Sequence, residues 1–223
     1  MASFVSHTLL LPARQTDLKR FVMASSLSVY GGHEAYLSFA ETESGAARLA
    51  VWHVETRRRS YTYTYYEVYD LPTIALRYFT VYGPRMRPNM AISNFVSRCI
   101  NGDSPVVYGD GTQTRDFTYI GDVLEANRTL LQTDAADGKA VNVGSTDNIE
   151  IRTLAAEIRD QLVPDIELEF DKRYDADHTH ADTTKAEDLL GYHPEHTIRE
   201  GVAKFIEWYR ANCEWYEPLV RNS

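Results

Sequence analysis

Apolar residues recur at helical spacing in four separate stretches of this 223-residue chain, and short apolar runs of strand length fall between them. Ile92, Phe95, Val96, Cys99 and Ile100 make one stripe, stopped by Asn101-Gly102. Val123, Ala126, Asn127 and Leu130 make a second, with Asp122 as its expected cap; Ile151, Leu154, Ala155, Ile158 and Leu162 make a third, ended by Pro164. Val202, Phe205, Ile206 and Tyr209 make the last. The pattern predicts strands over residues 21–25, 73–78, 106–108, 116–119, 141–143 and 166–170. Helices alternating with short strands mean α/β layering, each helix burying one face. Residues 8–18 are only loosely helical, because Pro12 interrupts them.

With 43% apolar and 25% charged residues the chain sits in the ordinary globular class. A net charge of −9 speaks against a nucleic-acid footprint. Cys99 and Cys213 are too few for a disulfide framework, which points to a reducing compartment. No apolar run reaches the roughly 18 residues of a membrane span. Leu9-Leu10-Leu11 is broken by Pro12 and has no cationic lead-in, so no signal peptide is read there and a cytoplasmic location is expected.

Four segments carry a more specific message. They are Ser25-Ser26-Leu27-Ser28-Val29-Tyr30-Gly31; Leu76-Arg77-Tyr78-Phe79-Thr80-Val81-Tyr82-Gly83-Pro84-Arg85; Tyr108-Gly109-Asp110-Gly111-Thr112-Gln113-Thr114-Arg115-Asp116-Phe117; and Val141-Asn142-Val143-Gly144. In that order they resemble the extended short-chain dehydrogenase/reductases, the NAD-dependent epimerase/dehydratase family. Residues 181–192 also resemble that family's closing helix. The resemblance implies an incomplete Rossmann-type parallel sheet, the remnant of an NAD-binding domain, over residues 1–80. It implies a smaller C-terminal substrate-binding lobe over residues 81–223, with elements returning to the sheet. The activity implied is C4 epimerisation of a UDP-hexose through a 4-keto intermediate, as in UDP-glucose 4-epimerases. NAD is the implied cofactor, a UDP-sugar the implied ligand and a homodimer the implied assembly.

The resemblance also implies roles for single residues. Ser26 matches the catalytic serine or threonine that orients the sugar hydroxyl; otherwise it is a strand-end serine in a turn. Tyr78 and Phe79 match positions near the nicotinamide and the sugar, or else simply pack. Thr80 stands where the family usually has an asparagine, and its hydroxyl can still bond a substrate; Asn89 matches a substrate-loop asparagine and Tyr108 the residue packing near the nucleobase, each otherwise a plain turn or core residue. Arg115 matches the diphosphate arginine, since a planar, permanently charged fork grips phosphate oxygens two at a time. Its plainer role is to pair with Asp110 or Asp116. Arg173 takes the place of the second phosphate arginine, with Lys172 as competitor. His178, His180 and Asp182, with His193 and His196 nearby, match no zinc spacing, and no metal is expected.

Two family features are missing. No Gly-x-Gly-x-x-Gly run occurs, and about 20 residues before the first strand fall short of the roughly 30 that one βαβ unit needs. No lysine lies between Lys19 and Lys139, so the catalytic Tyr-x-x-x-Lys is absent. Residues 44–62 are aberrant: 49–60 read as neither a good helix nor a good loop. One codon spelling of 49–60, moved by a single base, gives Ser-Pro-Tyr-Gly-Met-Ser-Lys-Arg-Ala-Ala-Glu, which resembles the family's active-site helix. Trp52 and His53 force its glycine whatever the synonyms. A paired frameshift is the first reading, and a divergent insert with Arg57-Arg58-Arg59 as an anion-binding or solvated loop the second. The chain is therefore read as an inactive epimerase, with a sugar-nucleotide 4,6-dehydratase or a non-catalytic binder as rivals. Leu27-Ser28, where a dehydratase would carry an acidic pair, weighs against the former. Without a glycine turn to cradle pyrophosphate, calorimetric titration with NAD should give weak binding or none; a stoichiometric micromolar site would contradict this.

Overall fold

The computed structural model describes residues 2–30, 38–39, 50–145, 147–172 and 178–222, with side chains for all of these except 2–7, 38–39 and 50–59. In chain order the elements are α1 (Ala2–Ala13), β1 (Phe21–Ser26), a 3-10 turn (Leu27–Tyr30), β2 (Ser38–Phe39), α2 (Ala50–Tyr69), β3 (Thr73–Tyr78), β4 (Thr80–Tyr82) and α3 (Ala91–Ile100). They continue with β5 (Val106–Tyr108), β6 (Thr114–Tyr119), α4 (Ile120–Thr129), β7 (Ala140–Val143), β8 (Asn148–Glu150) and α5 (Ile151–Leu162). The chain closes with β9 (Glu169–Asp171), β10 (His180–Ala181), α6 (Thr184–Leu190) and α7 (Ile198–Arg221).

The main sheet is parallel, in the order β1-β3-β7, with Phe21 in register with Thr73 and Ala75 with Ala140. A central parallel strand must be apolar on both faces, and Thr-Ile-Ala-Leu-Arg-Tyr of β3 is buried at its first five residues. Ile74 and Leu76 pack with Val141 and Val143 against Val123, Ala126 and Leu130 of α4 and Ala186 and Leu190 of α6. Each such side chain contributes about 1.5–3 kcal/mol on burial. The opposite face is covered by α2, whose Thr62 carbonyl accepts the Thr73 hydroxyl at 2.8 Å. A second core joins α3, α5 and α7, where Ile92, Phe95, Val96, Leu154, Ile158, Phe205 and Tyr209 interlock. Its last helix starts at a capping box, Thr197 accepting from the Glu200 N–H while the Glu200 carboxylate accepts from Thr197. Cys99 is buried in this core, which pushes its thiol up to about 11, and Cys213 lies half-buried at its rim.

Three sequence expectations change. Residues 50–69 form a helix despite weak propensity, because Tyr65 and Leu71 close a small core with Leu10 and Ala13 of α1. Tertiary packing of one face outweighs propensity in helices generally. The strand predicted at 166–170 begins later, at Glu169, because the Ile166 N–H first closes a turn onto Val163 after α5. Asp122 is not the cap of α4. The helix starts directly from β6 with Tyr119 as N-cap, and Asp122 sits in its first turn, buried. There its carboxylate suits the positive end of the helix and accepts from the backbone N–H groups of Glu195 and His196. Among the described residues no helix is long and apolar enough to cross a membrane.

The entry to β1 is latched to the α4–β7 connection. Arg20 donates through Nε and Nη2 to the two carboxylate oxygens of Asp137, the second at 2.9 Å, and through Nη1 to the Leu130 carbonyl. Both side chains are nearly buried, at 7% and 12% exposure. Removing one member leaves the other desolvated and unpaired, so Asp137→Ala should cost on the order of 3 kcal/mol. Urea denaturation measures it; a loss under about 0.5 kcal/mol, typical of an exposed pair, would contradict the latch.

Candidate functional site

β1 and β3 run side by side and end together, Ser26 in register with Tyr78. Beyond these carboxyl ends, where open α/β sheets bind ligands, lies a cleft of about 470 Å³. Ser26, Ser28, Phe79, Thr80, Arg85 and Arg87 line it. Ser26 Oγ lies 3.2 Å from Ser28 Oγ and accepts the Ser28 N–H at 3.2 Å. Phe79 is buried against Val29, Tyr30 and Ala181. Met90 also lines the cleft, whereas Asn89 before it is exposed and not among the lining residues.

The two arginines carry no assigned role in the sequence reading, and the loop that presents them is tightly held. Gly83 has φ of 132°, and a Cβ there would lie 2.6 Å from the Ile120 side chain, so only glycine serves. Arg85 itself adopts φ of 67°, a conformation uncommon for a residue with a Cβ and common at functional sites. The Met86 carbonyl accepts from the Tyr216 hydroxyl at 2.8 Å and the Arg87 carbonyl from the Ser93 hydroxyl at 3.1 Å. Those hydroxyls touch each other at 2.9 Å. Helices α3 and α7 thus fix the arginine loop against the cleft. An Arg-Met-Arg run directly after a strand and a Gly-Pro turn was the signal in the sequence.

Tyr78 behaves differently from its neighbour. Its hydroxyl donates to Asn127 Oδ1 of α4 at 3.0 Å, and it is not among the residues lining the cleft. Burial raises its pKa.

Tyr108 ends β5, half-exposed, opposite Asp171 of β9, and the Gly109 N–H donates to the Asp171 carbonyl at 2.8 Å. The turn that follows is closed by Asp110, whose carboxylate accepts the Thr112 hydroxyl at 2.6 Å and is held below its ordinary pKa by it. Arg115 follows on β6, half-buried, donating from Nη1 to the Thr114 carbonyl at 2.9 Å. Thr114 is contacted in turn by His178. Arg173 falls outside the described residues; its competitor Lys172 is exposed just after β9. Among the described residues no group of three His, Cys, Asp or Glu side chains could hold a metal ion.

Residues 4–205 match the family model described as GDP-mannose 4,6 dehydratase. The chain belongs to the NAD-dependent epimerase/dehydratase family. It is 34% identical over 207 residues to an uncharacterized protein of Methanocaldococcus jannaschii, covering 91% of this chain and 63% of that one. It is 34% identical over 218 residues to a UDP-glucuronate 4-epimerase of Thermodesulfobacterium geofontis, covering 91% of this chain and 62% of that one. The crystal structure of UDP-glucuronic acid 4-epimerase from Bacillus cereus, in complex with UDP-glucuronic acid and NAD, superposes with a TM-score of 0.84 at 26% identity. That match covers 95% of this chain and 68% of that structure.

Asp116, beside Arg115 on β6, is fully buried. Its carboxylate accepts from the N–H of Ser145 at 2.8 Å, the N–H of Ala181 at 3.1 Å and the hydroxyl of Thr118 at 3.1 Å. Desolvation outweighs these donors and pushes its pKa up to about 7. An unfolded aspartate titrates near ~3.9. Between those values the folded chain binds the extra proton, so stability falls as pH rises from about 4 to 7 and is level beyond. Asp116→Asn should remove that slope. Urea denaturation of both proteins between pH 4 and 8 measures the difference; parallel curves would mean the carboxylate stays ionised throughout.

Proposed function

We propose that this chain binds a UDP-hexuronate, the ligand of a C4 epimerisation, and does not turn it over unaided. The carrying observation is the cleft at the ends of β1 and β3, whose lining holds two arginines and three hydroxyls and, among the described residues, no carboxylate. A sugar bearing a carboxylate at C5 gives such guanidinium groups a planar, bidentate partner; a neutral hexose leaves both of them solvated. The names of the T. geofontis and B. cereus proteins support the same reading, and it refines the UDP-glucose expected from sequence. Ser26 then contacts the C4 hydroxyl, and Thr80 with Ser28, Arg85 and Arg87 holds the acid group. Asn89 closes the cleft edge. At the nucleotide end Arg115 takes the diphosphate and Tyr108 stacks near the base, with Arg173 or Lys172 as the second phosphate cation.

A nicotinamide cofactor fits these residues poorly. A dinucleotide needs a glycine turn leading from a sheet strand into a helix N-terminus. Here β1 leads into a 3-10 turn, β3 into β4 and β7 towards β8. The sequence also has no lysine between Lys19 and Lys139 to lower the pKa of a tyrosine base. Both points favour binding without turnover. A 4,6-dehydratase remains the second reading within the family, which the description of the matched model favours and Leu27-Ser28 opposes.

Isothermal calorimetry with UDP-glucuronate, UDP-glucose and UDP tests this. The glucuronate should bind about tenfold more tightly than the glucose, as one charge-assisted contact would give. Arg87→Ala should erase that preference, whereas Arg115→Ala should weaken all three ligands alike. Equal affinity of the unaltered chain for both sugars would sink the hexuronate reading. Turnover of either sugar would sink the claim of inactivity.

A further inference from the structure

Behind the candidate cleft lies a line of buried polar groups to which neither the sequence nor the family match assigns a role. Arg77, Tyr30 and Asn142 are each 1% exposed or less. Arg77 and Asn142 are register partners on β3 and β7, and Ser25 is the partner of Arg77 on β1, so the three share one face of the sheet. Tyr30 lies over that face, its ring 4.9 Å from the Arg77 guanidinium carbon. Hydrogen bonds run through its hydroxyl in one direction. Arg77 Nη1 donates to the Tyr30 hydroxyl at 2.6 Å, the hydroxyl donates to Asn142 Oδ1 at 2.6 Å, and Asn142 Nδ2 donates to the Asp182 carbonyl at 2.9 Å.

Tyr30 is the last residue of the 3-10 turn Leu27–Tyr30, the turn that follows Ser26 and contains Ser28. Only Val29 and Tyr30 in that turn are buried. Their packing on Phe79 and Ala181 sets how close the turn approaches, but apolar contact is non-directional. The doubly bonded hydroxyl supplies direction, because a donor on one strand and an acceptor on the next leave it a single position. The height of the turn over the sheet fixes where Ser28 and Ser26 present their hydroxyls, and hydrogen-bonding sites lose strength over displacements well below 1 Å.

We propose that Tyr30, clamped by Arg77 and Asn142, is a positioning residue for the sugar end of the cleft. It acts through Ser26 and Ser28 rather than by touching the ligand. This rests on the UDP-hexuronate reading above. A relay that merely satisfies a buried arginine would affect folding without discriminating between ligands. Tyr30→Phe keeps the ring and its contact with Arg77 and deletes only the hydroxyl. It should lower UDP-glucuronate affinity about fivefold, the worth of roughly one lost hydrogen bond, and leave UDP affinity unchanged. Asp137→Ala is the control for stability, since its latch with Arg20 lies at the start of β1, the end of that strand away from the cleft; it should move neither affinity. Calorimetry on the three proteins, with melting temperatures alongside, gives distinguishable outcomes. If the unaltered chain shows no preference for UDP-glucuronate, the function reading fails. If it does and Tyr30→Phe binds both ligands as before, or weakens both equally, the positioning role is wrong. Should Tyr30→Phe not fold, Asn142→Asp keeps an acceptor for the hydroxyl and should retain the UDP-glucuronate preference; its loss would also overturn the role.

Discussion

One buried carboxylate joins parts of the chain that lie far apart in sequence. Asp116 on β6 receives donors from Ser145, just past β7, and from Ala181, on β10. β7 belongs to the parallel sheet and β6 to the strands that carry Arg115, so the two cores are tied together at this point. The approach is close enough to exclude side chains. A Cβ on Gly144 would lie 2.3 Å from that of Ala181 and 3.1 Å from the Asp116 carboxylate. A charged group buried this deeply is costly unless donors converge on it. Here two of its three donors are backbone N–H groups from separate segments, so the joint forms only when those segments are already in place.

The same logic places the candidate cleft. One wall comes from the parallel sheet, through Ser26 and the turn after it. The other comes from the loop over 83–90, whose carbonyls are held by Ser93 of α3 and Tyr216 of α7. Each wall is therefore anchored in a different core. A ligand spanning them would bridge two packed bodies rather than rest on one.

What the sequence revealed follows from the range of the forces involved. Helical stripes such as Ile92–Ile100 and Ile151–Leu162 are local signals, and the helices stand where they were read. The β3 strand was equally plain, because a central parallel strand is a continuous apolar run. Long-range satisfaction was not legible. Asp122 looks like a cap until the 195–196 backbone is seen to donate to it, and α2 looks unlike a helix until α1 and β3 cover it. Ser26 and Thr80 were read from separate motifs, and it is the parallel pairing of β1 with β3 that brings both to one cleft. Arg85 and Arg87 were passed over because their loop is anchored by residues 93 and 216, and Tyr30 because its partners are 47 and 112 positions away.

The two thiols sit in unequal surroundings, and that gives the molecule an internal gauge. Cys99 is 2% exposed among the side chains joining α3, α5 and α7, with its ionisation suppressed, while Cys213 reaches the rim of the same core. Only a thiolate attacks an alkylating reagent. At neutral pH, one label per chain would report the closed state and a second would appear only as the helices separate. Mass spectrometry of that second adduct over time would follow the opening of this half independently of the parallel sheet.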